Sequence, residues 1–139
     1  MTKHSLIKVH SADDNSVMVF NANSIMAVEM NSGTTVLYMI DSSEWSCNES
    51  PTKIYELASE FGLVKAHSKE TNYICLFNAN HLQYITRTND VSAVNLRYND
   101  EEIEISVNET PEKLYNIIDG TDVSLKEKPK KTKSKQLNI

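Results

Sequence analysis

The chain holds 139 residues, with 14 Lys and Arg against 19 Asp and Glu and a formal net charge of −5. That length accommodates one ordinary domain, or two half-size units that share a core. No apolar run approaches the ~20 residues that cross a bilayer, Met1-Thr2-Lys3-His4 lacks the apolar stretch of a signal peptide, and three glycines cannot build a Gly-rich phosphate cradle.

Leu6-Ile7-Lys8-Val9 opens a first strand, and Val17-Met18-Val19-Phe20 makes a second after the turn-forming Asp13-Asp14-Asn15. The second strand runs into Asn21-Ala22-Asn23, where asparagine side chains cap turns and tolerate left-handed backbone. Ile25 and Val28, spaced by three, mark an irregular turn into a third strand. A fourth strand alternates, with Val36, Tyr38 and Ile40 on one face and Leu37 and Met39 on the other. Trp45 and Cys47 are expected to point inward from a short fifth strand. Ser50-Pro51 then starts a helix, because a hydroxyl residue caps free amides and proline suits the first helical position. Ile54, Leu57, Ala58 and Phe61 line its apolar face, and Gly62 stops it.

From Leu63 the pattern returns. Leu63-Val64-Lys65-Ala66-His67-Ser68 repeats Leu6-Ile7-Lys8-Val9-His10-Ser11, and Phe77-Asn78-Ala79-Asn80 repeats Phe20-Asn21-Ala22-Asn23 letter for letter, both at an offset of 57. Asn108-Glu109-Thr110-Pro111 repeats Asn48-Glu49-Ser50-Pro51 at an offset of 60. Val94, Leu96 and Tyr98 are matched to Val36, Tyr38 and Ile40, and Ile105 and Val107 to Trp45 and Cys47. Leu114, Ile117 and Ile118 line a second helix closed by Gly120. The expected fold is α+β: two tandem modules, each an antiparallel sheet of four to five strands followed by one helix. The expected boundaries are 1–62, 63–124 and a basic tail over 125–139. Each unit of roughly 55–60 residues is marginal alone, so the units must pack on each other or on further subunits.

Under this alignment the two fourth strands differ in their outward residues. The first repeat shows Met26, Met30, Leu37 and Met39, and the second Gln83, Arg87, Asn95 and Arg97. A sheet with two apolar faces must be covered twice. The methionine-rich face is therefore assigned as an interaction surface and the other as a polar, basic face. Packing between the modules is the competing explanation for the methionines. The tail carries Lys126, Lys128, Lys130, Lys131, Lys133 and Lys135 with one acid, Glu127, for a net +5, which leaves −10 on the remainder. Such a tail either keeps the protein soluble or serves as an electrostatic arm for nucleic acid or an acidic partner.

No residue is assigned to catalysis or to a metal, and no cofactor is expected. His4, His10, His67 and His81 have no Cys or acid at a metal-ligand spacing. The run Glu101-Glu102-Ile103-Glu104 reads as a charged strand edge that resists aggregation. Cys47 and Cys75 sit in apolar strand patterns, as buried free thiols would in a reducing cytosol.

Each copy resembles the small flagellar FlbD-like proteins and their bacterial and phage relatives, through Phe20-Asn21-Ala22-Asn23-Ser24-Ile25, Thr34-Thr35-Val36-Leu37 and Glu49-Ser50, and through Phe77-Asn78-Ala79-Asn80-His81-Leu82 and Glu109-Thr110. The resemblance covers about residues 5–62 and 63–120 and brings no catalytic residues. In outline the tandem is also similar to PUR and Whirly single-strand-binding modules. The expectation is a non-enzymatic, cytoplasmic binding or regulatory protein of bacterial or phage type, homo-oligomeric, acting through protein–protein contacts and away from membranes. Binding of single-stranded nucleic acid is the alternative, opposed by the acidic body. Sequestration of a small nucleotide between subunits is a further one.

Overall fold

The computed structural model describes residues 5–120. It is mostly β, with ten strands in three antiparallel sheets and two α-helices. Strands β1 (Leu6–His10) and β2 (Val17–Asn21) form a hairpin, followed by a 3-10 turn over Ala22–Ser24. Next come β3 (Ile25–Asn31), β4 (Thr34–Met39), β5 (Glu44–Cys47) and helix α1 (Pro51–Ala58). The same order recurs as β6 (Leu63–His67), β7 (Ile74–Asn78), a 3-10 turn over Ala79–His81, β8 (Leu82–Thr88), β9 (Val91–Tyr98), β10 (Glu101–Val107) and α2 (Pro111–Asp119).

Local chemistry accounts for the boundaries. The Ser50 and Thr110 hydroxyls accept from the Lys53 and Lys113 amides, with Pro51 and Pro111 opening the helices. Asn21 and Asn78 cap the two 3-10 turns, their side chains accepting from the Asn23 and Asn80 amides. Asn15 and Asn72 occupy the left-handed region at φ 64° and 63°, at matching points of the first hairpin loop of each repeat. Gly120 ends α2 in that same region, whereas α1 passes through a further 3-10 turn, Ser59–Phe61, before Gly62 at φ 103°.

Sheet pairing does not follow the repeat. Strand β7 pairs with β3, Ala27 opposite Phe77 and Val28 opposite Leu76. The central sheet therefore runs β5-β4-β3-β7-β6 across the junction at residue 62, leaving β1–β2 as a two-stranded sheet and β10-β9-β8 as a three-stranded one. Both faces of the central sheet are buried. One core, with Ile7, Val9, Leu37, Met39 and Leu76, also takes Ile54 and Ala58 from α1. The other, with Met26, Phe77, Val94 and Leu96, also takes Leu114 from α2. The expected pair of self-contained sheet-plus-helix units is thus replaced by a β-rich stack whose middle layer draws strands from both repeats.

Two strand-level expectations change. The structure aligns β9 with β4 one residue away from the sequence match: Leu82 pairs with Leu96 as Ile25 pairs with Met39, so Leu96 corresponds to Met39, Val94 to Leu37 and Asn95 to Tyr38. A one-residue slip exchanges the two faces of a strand. Trp45, expected inside, is about half exposed and packs edge-on against Phe20 at 5.9 Å between ring centroids.

Candidate functional site

The most specific polar arrangement is built twice, where the first strand of each repeat meets the segment preceding its helix. The Glu49 carboxylate grips His10 with both oxygens: the backbone amide donates to Oε1 at 2.9 Å, and ring Nδ1 lies 2.7 Å from Oε2. In the second repeat Glu109 holds His67 alike, at 3.0 and 2.7 Å. Around each clamp the backbone closes the same way, with the amides of Asn48 and Asn108 donating to the carbonyls of His10 and His67 at 2.9 Å. The Asn48 and Asn108 side chains donate to the loop residues Asn15 and Asn72 at 2.8 and 2.9 Å. The repeated Asn-Glu-Ser/Thr-Pro motif thereby divides its work among loop, histidine, helix cap and first helical turn.

A carboxylate can only accept, so Nδ1–H donates to it and Nε2 stays outside the clamp. Both histidine side chains are partly solvent-exposed. Burial opposes ionisation of Glu49, yet the hydrogen bonds from the His10 ring and backbone outweigh it and hold the carboxyl below its ordinary range. Carboxylate–histidine pairs also orient metal ligands. Among the described residues no group of three His, Cys, Asp or Glu is placed to hold an ion. Sequence spacing alone missed these pairs, because the partners lie 39 and 42 residues apart. The signal that finds them is the duplication itself, which keeps both the histidine and the glutamate.

The polar face of the second repeat is less basic than its composition implied. Arg97 Nη1 lies 3.1 Å from Glu102 Oε1, and Asn95 Nδ2 donates to the other Glu102 oxygen at 2.8 Å. Glu104 stands opposite Asn95. Arg87, about 17 Å along the sheet from Arg97 at ~3.3 Å per residue, ties β8 and β9 to the start of α2. Its Nη1 donates to Ser92 Oγ at 2.7 Å and to the Glu109 carbonyl at 3.2 Å. Gln83 is exposed. Of the expected apolar surface, Met26 and Leu37 are fully buried on opposite faces of the central sheet, Met39 is buried with Leu37, and Met30 is half-buried under a contact from Thr35 Oγ1. These side chains fill the cores between sheets, and the second covering layer comes from the chain itself. The six tail lysines, and His4, lie outside the described residues.

His67 borders a shallow depression of about 370 Å³ with Met30, Pro51, Thr52, Tyr73 and Ile74. A second depression, about 480 Å³, lies between α2 and β8 and is lined by Leu82, Ile85, Pro111, Tyr115, Ile118 and Asp119. Cys47 and Cys75 are free and buried, one in each core, and burial pushes their thiols up to about 11 and about 12. Among the described residues no helix is long and apolar enough to cross a membrane.

No family model matches the chain, and no curated protein matches its sequence. A solved structure is similar in fold: the LytTr DNA-binding domain of a putative methyl-accepting/DNA response regulator from Bacillus cereus, at a TM-score of 0.62 and 13% identity, with 85% of this chain and 99% of that one covered. At that identity the likeness is one of fold. It corrects the resemblance to FlbD-like proteins and to PUR and Whirly modules, for which no match is found. The short motifs that carried the resemblance are capped turns and helix starts, which unrelated chains share because the same amides need the same caps.

Proposed function

We propose that this chain is a non-enzymatic DNA-binding protein. The observation that carries the reading is the extent of the fold match, which runs the full length of a DNA-binding domain and takes in both repeats. Charge dictates how such binding would work. Residues 5–120 hold seven Lys and Arg against seventeen Asp and Glu, a surface that repels phosphates on average. Cations must then come mainly from the lysines at 126, 128, 130, 131, 133 and 135. Base edges would be met by polar side chains that reach the surface, such as those of His10, His67 and Tyr73. Phosphate contacts and base contacts are thereby carried by different parts of one chain of the expected cytoplasmic type.

The test is fluorescence anisotropy of the full-length protein with labelled double- and single-stranded DNA between about 50 and 300 mM salt. Six lysines bound the salt slope at about −5, at roughly −0.9 per neutralised phosphate. Deleting residues 126–139 is expected to weaken binding at least tenfold and flatten the slope. No binding to either DNA at low salt refutes the proposal. A second reading, contact with another polypeptide, is favoured by the exposed apolar residues Leu6, Val17, Val19 and Tyr115.

A further inference from the structure

Exposed apolar side chains on the outer hairpin, the last sheet and α2 have buried counterparts in the other repeat. Leu6 and Val19 are each 58% exposed, while the corresponding Leu63 and Leu76 are 4% and 0% exposed. Ile118 is 37% and Tyr84 46% exposed, while Ala58 and Ala27 are both at 0%.

The buried set belongs to one internal contact. Hairpin β6–β7 docks on the edge of β3 and beneath α1. Leu63 and Leu76 close the core with Ile54 and Ala58, and the Lys65 ammonium lies 4.9 Å over the Tyr55 ring. Asn78 Nδ2 donates to the Ala22 and Ile25 carbonyls at 3.3 and 2.9 Å. Hairpin β1–β2 carries the same docking parts in Leu6, Lys8, Val19 and Asn21, but among the described residues no sheet lies beyond β2. Among the described residues strand β8 is likewise an unpaired edge. The depression beside it is lined by Leu82, Ile85, Tyr115 and Ile118, the counterparts of Ile25, Val28, Tyr55 and Ala58. One end of the molecule is a hairpin without its host, and the other is a host without its hairpin.

We infer that the β1–β2 hairpin of one copy of this chain docks on the β8 edge and α2 groove of a second copy, as β6–β7 docks on β3 and α1 within the chain. In that contact Val19 lies opposite Ile85 and Phe20 opposite Tyr84. Lys8 covers the Tyr115 ring, and the Asn21 amide meets the Ala79 and Leu82 carbonyls. A second copy is the occupant because the match repeats, residue for residue, an interface the chain already makes. Donor and acceptor are different surfaces, so each copy offers both and the contact propagates head to tail. Beside the acceptor edge the second repeat is more polar than the first, with exposed Arg97 for Ile40 and buried Asn95 for Tyr38. Association is therefore weaker than the internal contact and belongs in the micromolar range and above, near Kd values of ~10–500 µM.

Sedimentation equilibrium of the full-length protein over about 1–500 µM tests this. The mass of the unmodified chain is expected to rise with concentration past that of a dimer. Val19→Lys removes the donor and Tyr115→Lys the acceptor. Both positions are exposed, so each variant is expected to keep the wild-type circular dichroism spectrum and to stay monomeric. Mixed in equal amounts, the two variants are expected to form a 1:1 complex that stops there, since each retains one working surface. An unmodified chain that stays monomeric, single variants that still assemble, or a folded mixture that does not associate overturns the inference. Assembly through any other surface, or occupation of the groove by residues 121–139, produces one of those results.

Discussion

Asn78 tests how the central sheet is held across the repeat junction. Its side chain is fully buried. Nδ2 donates to the Ala22 and Ile25 carbonyls at 3.3 and 2.9 Å, and Oδ1 accepts from the Asn80 amide at 2.9 Å. Asn78→Ala removes all three bonds and strands buried groups that water does not reach. At about 1 kcal/mol net per bond, and 1–3 for a buried group left unpaired, the expected loss is about 3–5 kcal/mol. Asn21 is the built-in control. It caps the first 3-10 turn in the same manner, accepting from the Asn23 amide at 3.0 Å, but is exposed. Asn21→Ala is therefore expected to cost about 0.5–1 kcal/mol, the loss of a cap and of an exposed bond from Ser5 Oγ. Asn78→Asp keeps the shape and the cap but turns a carboxylate oxygen toward the Ile25 carbonyl. It should be at least as damaging as alanine at pH 7 and recover partly in acid, where the protonated group donates again. Urea unfolding at a few micromolar protein, with stability from linear extrapolation, reads all three variants. Equal costs at positions 21 and 78 would refute the assignment of Asn78 as the bond between repeats.

Gly62→Ala is expected to destabilise the fold more than Gly33→Ala in the same unfolding assay. Both residues have positive φ, but a Cβ on Gly62 would stand 2.5 Å from Asn80 Nδ2 and 3.0 Å from Asn78 Oδ1, while nothing lies within 4 Å at Gly33. The backbone strain shared by both is about 1 kcal/mol, so equal losses would show that the asparagines yield freely. Burial, reinforced by the charge of Glu70, raises the Glu29 carboxyl. A carboxyl raised on folding opposes the folded state when ionised and stops doing so as pH falls through its folded value. Glu29→Gln should therefore raise the melting temperature at pH 7, with the gain shrinking in acid; a lower melting temperature at pH 7 contradicts the sign. With the Cys47 and Cys75 thiols pushed up to about 11 and about 12, disulfide-exchange labelling at pH 8 should proceed at the rate of unfolding. Two thiols labelled within seconds in the native protein would exclude it.

Local structure was legible in the sequence where a single side chain decides it. Ser50, Thr110 and the paired prolines fixed both helix starts, and the Asn-Ala-Asn turns are capped as their chemistry required. The β4–β9 register was not legible. The repeat drifts from an offset of 57 to one of 60, and the letters do not say where the extra residues enter. The structure puts them in the β9–β10 hairpin: Met39 still matches Leu96, while Trp45, opposite Leu37, matches Ile105, opposite Val94. The His–Glu clamps were visible only as two separate repeats, because a pair 39 residues apart meets only after folding. Sheet partition was likewise hidden, since β2 and β7 carry similar residues and nothing local says which one joins β3.

Comparing the repeats at corrected register separates two kinds of change. On the outward sheet face the second repeat has turned polar, with exposed Arg97 for Ile40 and exposed Gln83 for Met26, while Asn95, in place of Tyr38, is buried and donates to Glu102. That is the change expected of a last layer that faces water, as capping units of stacked repeats do. On the strand edges and around the helix groove the change is incomplete. Leu6, Val17 and Val19 stay apolar on the outer hairpin, Asn21 and Lys8 keep the identities of Asn78 and Lys65, and Tyr115 keeps that of Tyr55. Within one chain Asn21 caps its own turn, whereas its counterpart Asn78 also reaches across to another repeat, and Lys8 and Tyr115 stand at opposite ends of the chain although their counterparts Lys65 and Tyr55 stack on each other. Unpaired edges with apolar neighbours are normally blunted by charge or proline; β2 carries neither, while the α2 groove holds Pro111 and Asp119 beside Leu82, Ile85, Tyr115 and Ile118. The face that water meets has been altered and the edges that another hairpin would meet have been kept, which is the pattern of a chain that ends its stack on the face but not on the edge.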